Sequence, residues 1–171
     1  YEKVRQFYLE SLDYLHGKFS QPTMEEARIY QGLANSYADF LKGNFKRYPA
    51  KAERYFQSAT YYYLKSLALK KQLLGEGHPQ VATTYYTLAL LTSDHPGKVY
   101  RSKALNYFQR AIESITDGYR LTGDFDMPPM DRVRFPYYFN VLLTSKVYFL
   151  EKLYRETQDT LYIRVIHEHN R

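Results

Sequence analysis

Residues 59–89 read A-T-Y-Y-Y-L-K-S-L-A-L-K-K-Q-L-L-G-E-G-H-P-Q-V-A-T-T-Y-Y-T-L-A, and this stretch decides the fold of the chain. Leucine, valine, tyrosine and alanine recur at helical spacing on both sides of its centre. Gly75 stands where a left-handed residue ends a helix, and Pro79 fits the first turn of the next one. The stretch therefore predicts a helix, a tight turn at 75–79 and a second helix.

Copies of this helix–turn–helix pattern lie on both sides of the stretch. Residues 4–12, 59–67 and 104–112 share a small or branched residue, an aromatic pair three positions later and a small–aliphatic end. A second pattern, Ala-x-x-Tyr-x-x-Leu-Ala, occupies 27–34 and 82–89. Between the first two copies both patterns shift by the same number of positions. Such a constant offset indicates a helical repeat array.

At these residues the chain resembles the tetratricopeptide repeat (TPR) family, whose repeats pair an aromatic–Leu–small helix with an Ala–aromatic–Ala helix. The turn L-G-E-G-H-P-x-V-A at 74–82 is similar to the long repeats of kinesin light chains and of bacterial TPR regions that precede CHAT (caspase-like) protease domains. L-Y-x-x-T-x-D-x-x-Y at 153–162 resembles the same CHAT-associated regions. The resemblance implies an all-α, right-handed superhelix of about seven antiparallel helices, three hairpins plus an N-terminal helix.

The boundaries of the parts follow from caps, prolines and glycines. Thr23 and Glu26 have the spacing of a capping box, and Pro49 is expected to open a long helix that ends near Leu74. Because the chain begins at Tyr1 inside a second-helix pattern, we expect a fragment of a longer protein. We predict a single TPR-like domain over 1–171, with the second helix of a truncated repeat at 1–17, hairpins at 23–75 and 79–117, a loop at 118–129 and a C-terminal helix pair at 130–171.

Composition limits the possible functions. The 171 residues include 20 Tyr and 10 Phe but no Cys and no Trp. Without Cys there is neither a thiol nucleophile nor a disulfide framework. No apolar run approaches the roughly 18 residues of a membrane span, and no signal peptide is recognisable. We therefore expect a cytoplasmic protein without a membrane partner.

Candidate catalytic and metal-binding groups are sparse. His167-Glu168-His169 contains metal-ligand types, but residues two apart on a helix point to different sides. Asp124 and Asp126 would need further oxygen ligands from elsewhere. Gly75-Glu76-Gly77 lacks the preceding strand and the Lys of a phosphate-binding loop. Acids and bases far apart in sequence can still meet in a fold, yet no nucleophile motif is present, so we predict no enzyme, metal or cofactor.

The implied function is a protein–protein interaction scaffold. Stacked hairpins leave a concave surface that in TPR proteins captures a peptide or a partner helix. The resemblance further implies the regulatory or sensor arm of a larger bacterial protein, with a partner whose identity the sequence does not give. In the family register the groove-facing positions are predicted to be Arg28, Gln31, Asn35 and Asp39 on one helix and Thr83, Tyr86, Leu90 and Asp94 on another.

Charge distribution supports an alternative function. The net charge is +6, and residues 46–110 alone hold eleven Lys and Arg against three acids. In this region cations alternate with tyrosines, a combination that in other proteins follows a phosphate backbone and stacks on bases. Nucleic-acid binding through the helix at 46–71 is therefore the alternative, and a merely solvated basic face is the third interpretation. The predicted basic patch comprises Lys51, Arg54, Lys65 and Lys70.

Overall fold

The fold is all-helical, as the periodicity predicts. The structure is a computed structural model that describes residues 2–118, 120, 123 and 125–169, and the side chains at 168 and 169 lie outside this description. Within these ranges there is no strand, and none of the helices is long and apolar enough to cross a membrane. The α-helices are α1 Glu2–Lys18, α2 Met24–Leu41, α3 Asn44–Arg47, α4 Pro49–Leu74, α5 Pro79–Ser93, α6 Val99–Glu113, α7 Pro136–Thr157 and α8 Thr160–His169.

The helix starts are where capping chemistry puts them. Thr23 precedes α2, and its hydroxyl accepts a hydrogen bond from the Glu26 amide at 3.2 Å. Prolines occupy the first position of α4, α5 and α7, where a missing N–H costs nothing. His78 caps α5, because its Nδ1 accepts from the Gln80 amide at 3.1 Å. The starts predicted at Thr23, Pro49 and Pro79 are confirmed. In the part predicted as the C-terminal helix pair, Met130–Arg132 is a short 3-10 helix and α7 begins only at Pro136.

Gly75 ends α4 in a conformation that other residues reach with difficulty. Its φ of +81° agrees with the prediction, but its ψ of 158° lies outside the left-handed helical well, in a region used almost only by Gly. The Gly75 amide donates to the Lys71 carbonyl at 3.0 Å, which closes the last turn. The chain therefore leaves α4 in an extended direction before α5 begins.

One helix, α3, is absent from the sequence-based prediction. It is a single turn between α2 and α4, and it follows Gly43 at φ +75°. Asn44 fixes its position, since its Nδ2 donates to the Phe40 carbonyl at 2.6 Å. Four residues are too few to produce a recognisable helical period, so the sequence pattern does not predict this helix.

The helices pack in sequential order. Contacts join α2 with α4, α5 with α6 and α7 with α8, while α1 lies on α2 and α4 lies on α5. Helix α7 touches both α5 and α6. Ala59, Ala89 and Ala104 are fully buried where these helices approach one another, as expected for the small positions of the repeat pattern. The apolar core thus continues from one helix pair to the next.

The predicted break at 118–129 lies partly outside the described residues, which exclude 119, 121, 122 and 124. The side-chain amide of Gln109 donates to the carbonyls of Gly123 and Asp126, the latter at 3.3 Å. The Thr116–Val133 bridge closes the base of this segment. The described part of the loop is therefore held against α6.

Candidate functional site

A cleft lies between α2 and α5. Its volume is about 730 Å³, within the range of pockets that hold small ligands or peptide side chains. Its walls come from four helices and are largely apolar. The lining residues include Ala38 and Leu41 from α2 with Lys42 just after it, Phe45 and Lys46 from α3, Tyr63 from α4, and Thr87, Leu90 and Leu91 from α5, with Asp94 and Pro96 beyond it.

Tyr63 carries the polar group at the buried wall of the cleft. The side chain is only 2% exposed, and its hydroxyl donates to Asn35 Oδ1 at 2.6 Å. Burial raises the pKa of Tyr63 to about 12, and the negative charge of Asp39 adds to the effect. The phenol therefore stays neutral at ordinary pH. The bond uses one lone pair of the Asn35 amide oxygen, and the Nδ2 group of this exposed side chain can donate to a ligand.

The rim of the cleft carries charges of both signs. Lys42 pairs with Asp39 at 3.2 Å, and both side chains are largely exposed. Such a pair contributes little to stability. Lys46 and Asp94 belong to no ion pair within the described ranges and face the cleft from α3 and from the end of α5. The rim can therefore offer a cation and an anion to a ligand at small cost.

Six of the eight predicted groove residues lie in or beside two separate hollows, and one of them, Asp94, lines the rim of the cleft. Leu90 lines the cleft, and Asn35 and Asp39 bond residues that line it. Thr83 and Tyr86 instead border a smaller apolar hollow of about 160 Å³ between α5 and α7. The Tyr86 hydroxyl shares a hydrogen bond with Ser145 Oγ at 2.9 Å. Tyr86 is thus partly covered by α7 and ties the two helices together.

Arg28 and Gln31 stand apart from both hollows. Arg28 is exposed and pairs with Glu25 at 3.3 Å, one turn away on the same helix. Gln31 is half-buried and accepts a hydrogen bond from Lys70 Nζ, which also donates to Thr84 Oγ1 at 2.9 Å. Gln31 therefore links α2 to α4 and, through Lys70, to α5.

The inclusion of Lys70 in an exposed basic patch is wrong, because this lysine is only 3% exposed. It lies on the buried stripe of α4 with Tyr63, Ser66 and Leu67. No carboxylate among the described residues pairs with it, and its partners are neutral oxygens. Desolvation lowers the pKa of Lys70 to about 8, and repulsion by Arg28 acts in the same direction. The other three patch members, Lys51, Arg54 and Lys65, are exposed.

His95 forms a buried cluster that sequence reasoning missed. Its ring centroid lies 4.8 Å from that of Phe45, 4.4 Å from Phe56 and 3.9 Å from Tyr100. Nδ1 accepts from the Gly97 amide at 3.0 Å, which places the ring proton on Nε2, 2.9 Å from a Glu53 carboxylate oxygen. This hydrogen bond lowers the pKa of the Glu53 carboxyl.

The His95 cluster supports one end of the cleft. Phe45, which packs against the imidazole ring, and Pro96, the next residue in the chain, both line the cleft. Residues 93–97 read S-D-H-P-G, a composition that by itself predicts only a turn. No local signal connects this turn with α3, a helix that was itself unrecognised. The contact exists only because α4 and α5 bring the two segments together.

Metal binding has no support among the described side chains, in which no group of three or more His, Cys, Asp or Glu could hold an ion. Asp124 and the side chains of Glu168 and His169 lie outside the described residues. The structure therefore does not test the candidate metal sites at 124–126 and 167–169.

Comparison of the chain with models of protein families, with curated proteins and with solved structures found no match. The TPR, kinesin-light-chain and CHAT-associated assignments therefore stay predictions from the sequence.

Proposed function

We propose that the protein is an interaction module that binds a peptide or a partner helix in the cleft between α2 and α5. The observation that carries the proposal is the cleft itself, which measures about 730 Å³, is largely apolar and is built from four helices. A groove of this kind takes the apolar face of a partner segment. Mixed charges at the rim suit the polar flanks of such a segment.

The lining chemistry favours binding over catalysis. The cleft is lined by neither His nor Cys nor Ser, and its ionisable groups Lys42, Lys46 and Asp94 are exposed at the rim. Tyr63, its buried polar group, holds its proton tightly. A general base or nucleophile needs a group that gains or loses a proton near the working pH. We accordingly keep the prediction that the module is not an enzyme.

We further propose that the helix pairs α2–α4, α5–α6 and α7–α8 form a TPR-like right-handed superhelix, with α1 as the last helix of a preceding repeat. The order of packing and the burial of Ala59 and Ala104 at equivalent pattern positions support it. In this proposal the module is the regulatory or sensor arm of a larger cytoplasmic protein. The complete open reading frame tests that part, because a CHAT domain downstream is the expected neighbour.

The cleft is tested by selecting binders from a displayed library of random 12-residue peptides and measuring their affinity by calorimetry. Leu90→Asp places a charge in the apolar wall, so we expect affinity to drop at least about tenfold. Leu73→Asp is the matched control, because Leu73 is 39% exposed and Leu90 is 38% exposed, and Leu73 lies outside the cleft. Peptides that bind both variants as they bind the unaltered protein would place the binding surface elsewhere.

A further inference from the structure

The exposed face of α4 carries a second surface, independent of the cleft. Lys51, Arg54, Ser58, Tyr61 and Lys65 follow one another at spacings of three, four, three and four residues, which puts them on one side of the helix. At 1.5 Å per residue the row is about 21 Å long. Residues two positions apart on an α-helix, such as Tyr61 and Tyr63, point in directions about 200° apart around the helix axis. Tyr61 therefore points away from the cleft that Tyr63 lines.

The cations of this row are not neutralised within the described part of the chain. Lys51, Arg54 and Lys65 belong to none of its ion pairs. The single acid of α4, Glu53, is bonded to His95 and to Gln57. Three positive charges thus remain for an anionic partner.

Aromatic rings hold the row in place. Lys51 Nζ lies 4.8 Å from the ring centroid of Phe40 and 5.4 Å from that of Tyr55, and Lys65 Nζ lies 5.6 Å from that of Tyr61. Cation–π contacts of this kind restrain a long side chain without cancelling its charge. The ammonium groups are therefore partly positioned before any partner arrives.

Tyr61 is both exposed and positioned. The residue is 54% exposed, and its ring meets Tyr62 edge to face at 5.2 Å. Tyr62 in turn stacks on Tyr30 at 6.1 Å and on Tyr37 at 5.8 Å, so the neighbour of Tyr61 is packed against two rings of α2. A shallow hollow lies beside the ring and is lined by Arg54, Gln57, Ser58, Tyr61 and Tyr62.

We propose that this row binds single-stranded nucleic acid, with phosphates against Lys51, Arg54 and Lys65 and one base stacked on Tyr61. Cations that follow a backbone, interleaved with an available aromatic ring, are what such binding requires. An acidic peptide or an anionic lipid surface would satisfy the cations but would leave the open ring beside the hollow without a planar partner. The ring therefore favours nucleic acid over those two polyanions.

The test is fluorescence anisotropy of the whole chain with fluorescein-labelled 12-nucleotide oligothymidine and oligouridine, at two salt concentrations. Binding is expected at low salt and is expected to weaken as salt rises. Lys51→Gln, Arg54→Gln and Lys65→Gln together should remove about 2 from the slope of log affinity against log salt, since each phosphate contact with a single strand contributes about 0.7. The control changes Lys3, Lys98 and Arg132 to Gln, the same charges at exposed sites elsewhere.

Substitutions of Tyr61 test base stacking separately from charge, because they change the affinity for the oligonucleotide without changing the charge of the protein. Tyr61→Ala should weaken binding about 5- to 150-fold, the equivalent of one lost base–aromatic stack, whereas Tyr61→Phe should preserve it. Equal losses from both triple variants, or indifference to Tyr61→Ala, would overturn the proposal in favour of unspecific attraction. Equal, Tyr61-independent binding of heparin or of phosphatidylserine vesicles would overturn it in favour of a general polyanion surface. Absence of binding at low salt would also refute it, and none of these results bears on the cleft.

Discussion

The two faces of α4 use the same residue types for opposite purposes. On one face Tyr63 is 2% exposed and Lys70 3% exposed, and on the other Tyr61 is 54% exposed and Lys65 is also open to solvent. Neither residue type nor local composition distinguishes the pairs. Their positions along the helical turn do, since Tyr63 and Lys70 fall in the stripe that faces α2 and α5. Helical phase therefore separates the cleft from the proposed nucleic-acid surface.

The largest expected contrast is between a core ring and an exposed cation of this helix. Phe56→Ala should lower the free energy of unfolding by about 3–5 kcal/mol, because the ring is buried and packs on Phe45, His95 and Tyr100. Lys65→Ala should change it by less than about 0.5 kcal/mol. Urea denaturation followed by circular dichroism measures both. Similar losses would mean that the two faces are not distinct.

Adding volume should separate the faces in the same way. Ala59→Leu should cost roughly 1–3 kcal/mol, because Ala59 is fully buried where helices meet. Ala89→Leu and Ala104→Leu should behave alike. Ala68→Leu is the control, since Ala68 is exposed on α4 itself. Unchanged melting temperatures for all three core variants would show that the repeat register is wrong.

Lys70 should make stability depend on pH. Its pKa is about 8 in the folded chain and about 10.5 when unfolded, so between these values the unfolded state binds more protons. The free energy of unfolding should therefore rise by roughly 2 kcal/mol from pH 7 to pH 9.5. The predicted rise is limited to pH values below about 10. Above that, the raised pKa of Tyr63, about 12, makes the folded state bind more protons than the unfolded state, so stability falls as the pH increases.

Two variants isolate this effect. Lys70→Met removes the titrating group, so its unfolding curve should lose the rise, whereas Lys65→Met should keep it. A Lys70→Met protein with the same pH dependence as the unaltered chain would assign the rise to another group.

The smallest effect compares two tyrosine hydroxyls. Tyr63→Phe deletes the bond to Asn35 and should cost about 0.5–1.5 kcal/mol of stability. Tyr61→Phe should cost nothing measurable, because no hydrogen bond involving its hydroxyl occurs within the described residues. Thermal unfolding of the two variants side by side checks the difference. An equal cost would contradict the assigned role of the Tyr63–Asn35 pair.

Much of the fold was predictable from local chemistry. Thr23, Pro49 and Pro79 mark helix starts because capping and proline geometry act over a few residues. Part of the site was predictable as well, since Leu90 does line the cleft. The burial of Lys70 was also predictable, because its spacing from Tyr63, Ser66 and Leu67 is that of the buried stripe of α4. Its lysine chemistry led to the wrong assignment.

By itself the sequence determined the all-helical class, the helix starts at its prolines and caps, and the small positions at Ala59, Ala89 and Ala104, because these depend on period and on neighbours within one turn. Only the tertiary structure decided the cleft, the neutral partners of Lys70 and the packing of His95 on α3. Each of these joins segments distant in the sequence, and such contacts depend on how helices lie against one another. That arrangement is set by the packing of whole faces, which no single stretch encodes.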